Sequence, residues 1–176
     1  MILEKLSRRI AIAIKTADPE GPGSIGVLEY SIGMKLNLYS GIALTMLFGL
    51  IFNVFIQALI ALVALIVLRR FSGGFHLPIS LCSLVTAILS TLAAGITLNH
   101  LFIHMFTALS LVAMMLFAPI SFEGDDADAF HPLAKTISIV LIASNFVFQS
   151  STLAMMFIFQ STFILPIYST KGGEIE

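Results

Sequence analysis

Long apolar runs separated by short polar breaks organise the whole chain. Residues 1–17 open it with an amphipathic pattern. Leu3, Leu6, Ile10 and Ile14 recur at helical spacing, and Lys5, Arg8, Arg9 and Lys15 surround them. That pattern predicts a helix lying in a membrane interface and drawn to anionic lipid. Asp18-Pro19-Glu20-Gly21-Pro22-Gly23 breaks it. A second amphipathic piece, residues 24–36, leads into an apolar run over 39–68 whose clear polar interruptions are Asn53 and Gln57. One crossing needs about 20 residues, so this run is one long helix or a tight hairpin of two short ones. Lys35 precedes it and Arg69 and Arg70 follow it. Basic residues mark the cytoplasmic side, so both ends lie on one side and the chain turns near Asn53–Gln57.

The same reading continues to the C-terminus. Crossings are expected over 78–98, 101–118, 133–148 and 153–168. Turns fall at Asn99-His100 and at residues 149–152, and a polar loop spans 119–132. On this scheme all nine Lys and Arg lie on the side of the two termini. The expected fold is all-α: a polytopic integral membrane protein with six transmembrane helices and an N-terminal amphipathic interfacial helix. It forms one domain over 1–176, with an amphipathic region over 1–36, a bundle over 38–168 and a cytoplasmic tail over 169–176.

Composition narrows the function. Apolar residues make up 58% of the chain and charged residues 11%, against roughly 25% charged in soluble domains; mean hydropathy is +1.02. A formal net charge of -1 argues against nucleic-acid binding, which needs a basic face. One cysteine, Cys82, excludes an intrachain disulfide. The lipid bilayer is therefore the first expected partner. No signal peptide is read at the N-terminus, because the apolar piece over 10–14 is too short for one.

The chemistry-bearing stretch is Arg69-Arg70-Phe71-Ser72-Gly73-Gly74-Phe75-His76, with Cys82 six residues beyond. A thiol and an imidazole at a membrane boundary suit a nucleophile and its general base. Six helical residues rise about 9 Å, beyond the reach of a hydrogen bond. Gly73-Gly74 permits a bend, and Pro78 suits a helix start while disfavouring helix at Leu77. His76 is therefore expected on a loop folding back over the first turns of a helix, with Cys82 about one turn inside. Helix N-terminal N–H groups favour a thiolate there, and loop N–H groups near Gly73 and Gly74 are oxyanion-hole candidates. From these residues alone, a small buried cysteine and an interfacial histidine are the commoner reading.

Other polar groups carry less. Glu123, Asp125, Asp126 and Asp128, ahead of His131-Pro132, form an acidic loop without full EF-hand spacing. It reads as a solvated loop, as a docking surface for a basic peptide segment, or as the source of an acid that orients His76. His100 and His104 are four apart but lack further ligands, so no metal site is assigned. Asn145, Gln149 and Gln160 read as interhelical hydrogen-bond partners. No cofactor is called for.

The segment from Arg69 to His76, with Cys82 downstream, resembles the accessory gene regulator B (AgrB) family of membrane peptidases. Glu29-Tyr30-Ser31-Ile32-Gly33 resembles the segment that family carries before its first crossing. The resemblance implies a membrane cysteine endopeptidase that processes an AgrD-like precursor peptide into a cyclic quorum-sensing signal. Cys82 would attack a precursor carbonyl and His76 would move the proton. Removal of the C-terminal tail would leave a thioester, and ring closure to a thiolactone or lactone would follow. Arg69, Gly73 and Gly74 would shape the loop or contact substrate, and the resemblance also implies a homodimer. It agrees with the placement read from the basic residues, which sets both termini and the site on the cytoplasmic face, here of a bacterial cell membrane. Two features depart from the family pattern: His76 and Cys82 are one residue closer than usual, and the loop after the fourth crossing is acidic where relatives are often basic. The alternative from another class is a small transporter or peptide-export module without covalent chemistry; midplane charges would support it, and none falls within the expected crossings.

Overall fold

The computed structural model describes residues 2–74, 77–118 and 127–165, the side chains of 127–131 excepted. Every regular element among them is helical. In chain order these are α1 (Ile2–Ala17), α2 (Ile25–Ile51), α3 (Phe55–Ser72), α4 (Ile79–Gly95), α5 (His100–Phe117), α6 (Ala127–Ala143), the single turn α7 (Asn145–Phe148) and α8 (Ser151–Phe163). Helices α2, α3 and α5 are long and apolar enough to cross a membrane. The apolar helices over 79–95, 132–148 and 151–163 are shorter. Among the described residues each of the six expected apolar segments contains a helix, and three of these helices meet the length of a crossing.

The expected hairpin forms. α2 ends at Ile51, and α3 begins at Phe55 after a turn in which Asn53 takes a left-handed conformation (φ 56°). Asparagine tolerates that region better than most residues. The polar interruption is therefore the reversal point. The second amphipathic piece is not a separate element, however. Ser24 caps α2 by accepting from the Val27 N–H, and the helix runs unbroken from Ile25 into the apolar run. Nothing in residues 36–39 ends a helix, so a change of solvent on its surface leaves the backbone continuous.

α2 is the spine. It packs on α4, α1 and α3. Gly33, Asn37, Gly41, Thr45 and Gly49 recur every four residues, and all but Asn37 are buried. Small residues on one stripe let neighbouring backbones approach closely, the usual solution where lipid removes the hydrophobic drive between helices. A Cβ on Gly49 would sit 3.0 Å from the Cα of Phe55, just across the hairpin, and one on Gly33 would meet the Ile79 side chain of α4.

α1 folds back on α2 after the residue 18–24 break, where Lys15 Nζ donates to the Gly21 carbonyl at 2.7 Å. It turns Ser7 and Ala11 inward, while Leu6 and Ile14 stay exposed. Part of the expected apolar stripe is thus left for an outside surface.

The far half closes on α8. α8 packs on α5, α3 and α4. Leu68, Met114, Ile142, Phe157 and Ile164 form one buried cluster, and Ala61, Leu65, Ala93 and Met156 form part of another. Asn145 is fully buried. Its amide donates to Thr107 Oγ1 at 2.9 Å and to the Ser150 carbonyl at 3.3 Å, and its Oδ1 accepts from the Ser150 N–H. This is the interhelical role expected for it. α6 starts six residues earlier than the expected crossing at 133 and carries Pro132 within it. Pro132 is the sixth residue of α6, past the first four N–H groups that lack an intrahelical partner, so it leaves one backbone carbonyl of the first turn without its helical donor. His104 stacks on Phe146 at 5.8 Å between centroids.

Candidate functional site

The site lies where α3 ends and α4 begins. α3 stops because Gly73 takes a positive φ of 67°, and its N–H bonds the Arg69 carbonyl at 3.1 Å to close the last turn. Gly74 follows at φ 130°. Only glycine adopts two such conformations in succession without strain. The Gly73 N–H is thereby engaged as the helix cap.

α4 restarts at Pro78, which supplies no side-chain cap. The Pro78 carbonyl accepts from the Leu81 and Cys82 N–H groups at 2.9 and 2.8 Å. Cys82 is thus one turn inside α4, as its spacing from Pro78 predicted. Its side chain points into the bundle and is 7% exposed. Two donors converge on its sulfur. Arg69 Nη1 approaches to 3.8 Å from the last turn of α3, and Asn37 Nδ2 to 3.7 Å from α2. These are long contacts suited to a weak sulfur acceptor. The Arg69 guanidinium also lies 6.0 Å from the centroid of the Phe163 ring on α8, within cation–π range. Asn37 Oδ1 is buried without a hydrogen-bond partner.

The half-buried first turn of α4 is capped from α1. The Ser80 N–H donates to Glu4 Oε1 at 2.9 Å and the Ser80 hydroxyl to Glu4 Oε2 at 2.5 Å. The Leu3 N–H in turn donates to Ser80 Oγ at 3.0 Å. Desolvation pushes the Glu4 carboxyl up, but the Ser80 side-chain and backbone hydrogen bonds outweigh it and hold the pKa at about 2. A carboxylate at a helix N-terminus also meets the positive end of the macrodipole.

From α8, Gln160 reaches the α3–α4 connection. Its Nε2 donates to Ser72 Oγ at 3.0 Å and to the Gly73 carbonyl at 2.8 Å.

Of the residues singled out from sequence, the structure brings Cys82, Arg69, Gly73 and Gly74 to one end of the bundle. His76 lies outside the described residues, as do Glu123, Asp125 and Asp126; Asp128 falls in α6 with its side chain outside them. Sequence reasoning missed Asn37, Glu4 and Ser80, and it took Gln160 as a helix partner only. Asn37 had a signal: it is a lone amide on a stripe of small residues.

These features define an all-helical membrane protein with one buried thiol held against a cation at a helix start. Over residues 7–128 the sequence matches the family described as Accessory gene regulator B. The chain belongs to that family, and membership supports a role in quorum-sensing peptide processing. No curated protein and no solved structure matches it.

Proposed function

We propose that the protein is a membrane cysteine endopeptidase that trims and cyclises an AgrD-like precursor peptide. The observation that carries this reading is the convergence on Cys82 Sγ of a guanidinium and an amide N–H, at the first turns of a helix. A guanidinium beside the sulfur favours negative charge on it during attack. A sulfur that served only as packing would need neither donor.

Each step balances. The Cys82 thiol passes its proton to His76, and the thiolate adds to a precursor carbonyl. The C–N bond breaks, and His76 returns the proton to the leaving amine of the C-terminal tail. A thioester joins the remaining peptide to Cys82. A thiol or hydroxyl within that peptide then adds to the thioester, the ring closes, and Cys82 leaves as a thiol. Exchange between two acyl carriers conserves the activated bond that water would spend, so a crowded, apolar site favours cyclisation. The basic residues set both termini and the site on the cytoplasmic face. The acidic loop serves as a docking surface for basic segments of the precursor, and two copies of the chain act together.

The test is co-expression with a candidate precursor, comparing wild type with Cys82→Ala and His76→Ala by mass spectrometry. Loss of the tail-cleaved peptide in both variants supports the reading. Tail cleavage at the wild-type rate in both would remove it. Transport of intact peptide by Cys82→Ala would favour an export module instead.

A further inference from the structure

Gln160 lies beyond the residues matched by the family, yet it touches the connection that leads to the site. It is fully buried on α8. One Nε2 group spans two acceptors, Ser72 Oγ and the Gly73 carbonyl. Its orientation is fixed, because turning the amide would set Oε1 against a carbonyl oxygen that has no hydrogen to give. The other end, Oε1, is buried with no partner. A sealed, unpaired amide oxygen costs stability. An apolar side chain of similar length would avoid that cost. The Gly73 carbonyl would even keep a donor, since the Ser72 hydroxyl lies 3.3 Å from it. Stability alone does not explain the amide.

The backbone is built around it. A Cβ on Gly74 would stand 3.3 Å from Gln160 Nε2 and 3.4 Å from the Phe163 carbonyl, so the chain runs flush against α8 there. Phe163, one turn on from Gln160 on the same face of α8, is the ring that the Arg69 guanidinium approaches. One face of α8 thus meets both the glycine connection and the cation beside the sulfur. His76 follows Gly74 by two residues in the chain.

We propose that Gln160 is a positioning residue: from the last apolar helix it pins Ser72 and Gly73, and so sets the path by which the chain leaves α3 toward His76. The inference rests on the reading of His76 and Cys82 as base and nucleophile.

The experiment uses full-length protein in detergent or vesicles. Cys82 is the sole cysteine, so iodoacetamide alkylation followed by intact mass reports one site. Alkylation rate against pH is compared for wild type, Gln160→Met, His76→Ala and the double variant, together with tail cleavage of a co-expressed precursor. Asn145→Leu, a buried amide in a different helix contact, controls for lost polar packing. Gln160→Met is expected to fold, to shift the pH profile onto that of His76→Ala, and to slow cleavage on the order of 10- to 100-fold, as a misplaced group does. Its effect is expected to disappear in the His76→Ala background, and Asn145→Leu is expected to keep the wild-type profile. A wild-type profile for Gln160→Met, or effects that multiply with His76→Ala, would overturn the positioning role and leave the peptidase reading standing. Wild-type behaviour of His76→Ala itself would overturn both. If Gln160→Met does not fold, Ser72→Ala removes one of the two acceptors and carries the same prediction as a partial shift; no shift would refute it.

Discussion

Arg69 Nη1 stands 3.8 Å from Cys82 Sγ, although thirteen residues and a helix reversal separate them in the chain. The double glycine makes the pairing available. α3 ends on Gly73, α4 restarts at Pro78, and the last turn of one helix is brought beside the first turns of the next.

On the proposed reading, the pairing gives Arg69 a part in the chemistry of Cys82. Hydrogen bonds to charged groups are worth about 1.5–3 kcal/mol, so Arg69→Gln is expected to slow Cys82 alkylation and tail cleavage roughly 10- to 100-fold. Arg69→Lys keeps the charge without the fork and should fall between. Alkylation rates of the three proteins at one pH decide it.

The stripe on α2 makes a graded prediction. On Gly41 a Cβ meets nothing closer than 4.0 Å, on Gly33 it meets the movable end of Ile79, and on Gly49 it meets the Phe55 backbone at 3.0 Å. Backbone cannot swing aside as a side-chain end can. Gly49→Ala is therefore expected to lose about 1–3 kcal/mol by overpacking, Gly33→Ala less, and Gly41→Ala to be neutral or stabilising. Unfolding in detergent, measured for the three variants, should give that order.

Glu4 has a pH signature. Its pKa falls from 4.5 to about 2 when Ser80 is engaged. A depressed carboxylate pKa means the contribution is present above the unfolded value and is lost as pH falls through the folded one. The stability gap between wild type and Glu4→Gln should hold at pH 5–7, narrow between about 4.5 and 2, and close near 2. Melting both proteins across that range measures it.

Asn145→Leu strands the Thr107 hydroxyl and the Ser150 N–H. A buried group left unpaired costs about 1–3 kcal/mol. The expected outcome is a lower unfolding midpoint with alkylation of Cys82 unchanged.

The pattern of apolar runs carried the helices well. Asn53 marked the hairpin reversal, Asn99 the start of α5 and residues 149–150 the last turn, because a polar break in an apolar run is costly unless the chain turns there. The join at residues 36–39 and the start of α6 were misplaced. Amphipathicity describes what surrounds a helix and does not say where its backbone stops. In the site, Cys82 and its place on α4 followed from Pro78 and the glycines. Asn37, Glu4 and Gln160 did not. Each reaches the site from a helix remote in sequence, and one sequence shows no pairing between segments 45 to 88 residues apart.

The proposed reaction requires Cys82 to form a covalent bond to the peptide. Intact mass of the protein, purified after rapid denaturation from cells making a precursor, tests this directly. The predicted result is an adduct on wild type equal in mass to the precursor without its tail, labile to hydroxylamine and missing from Cys82→Ala. Tail-cleaved peptide produced at the wild-type rate by Cys82→Ala, with no adduct on wild type, would contradict it.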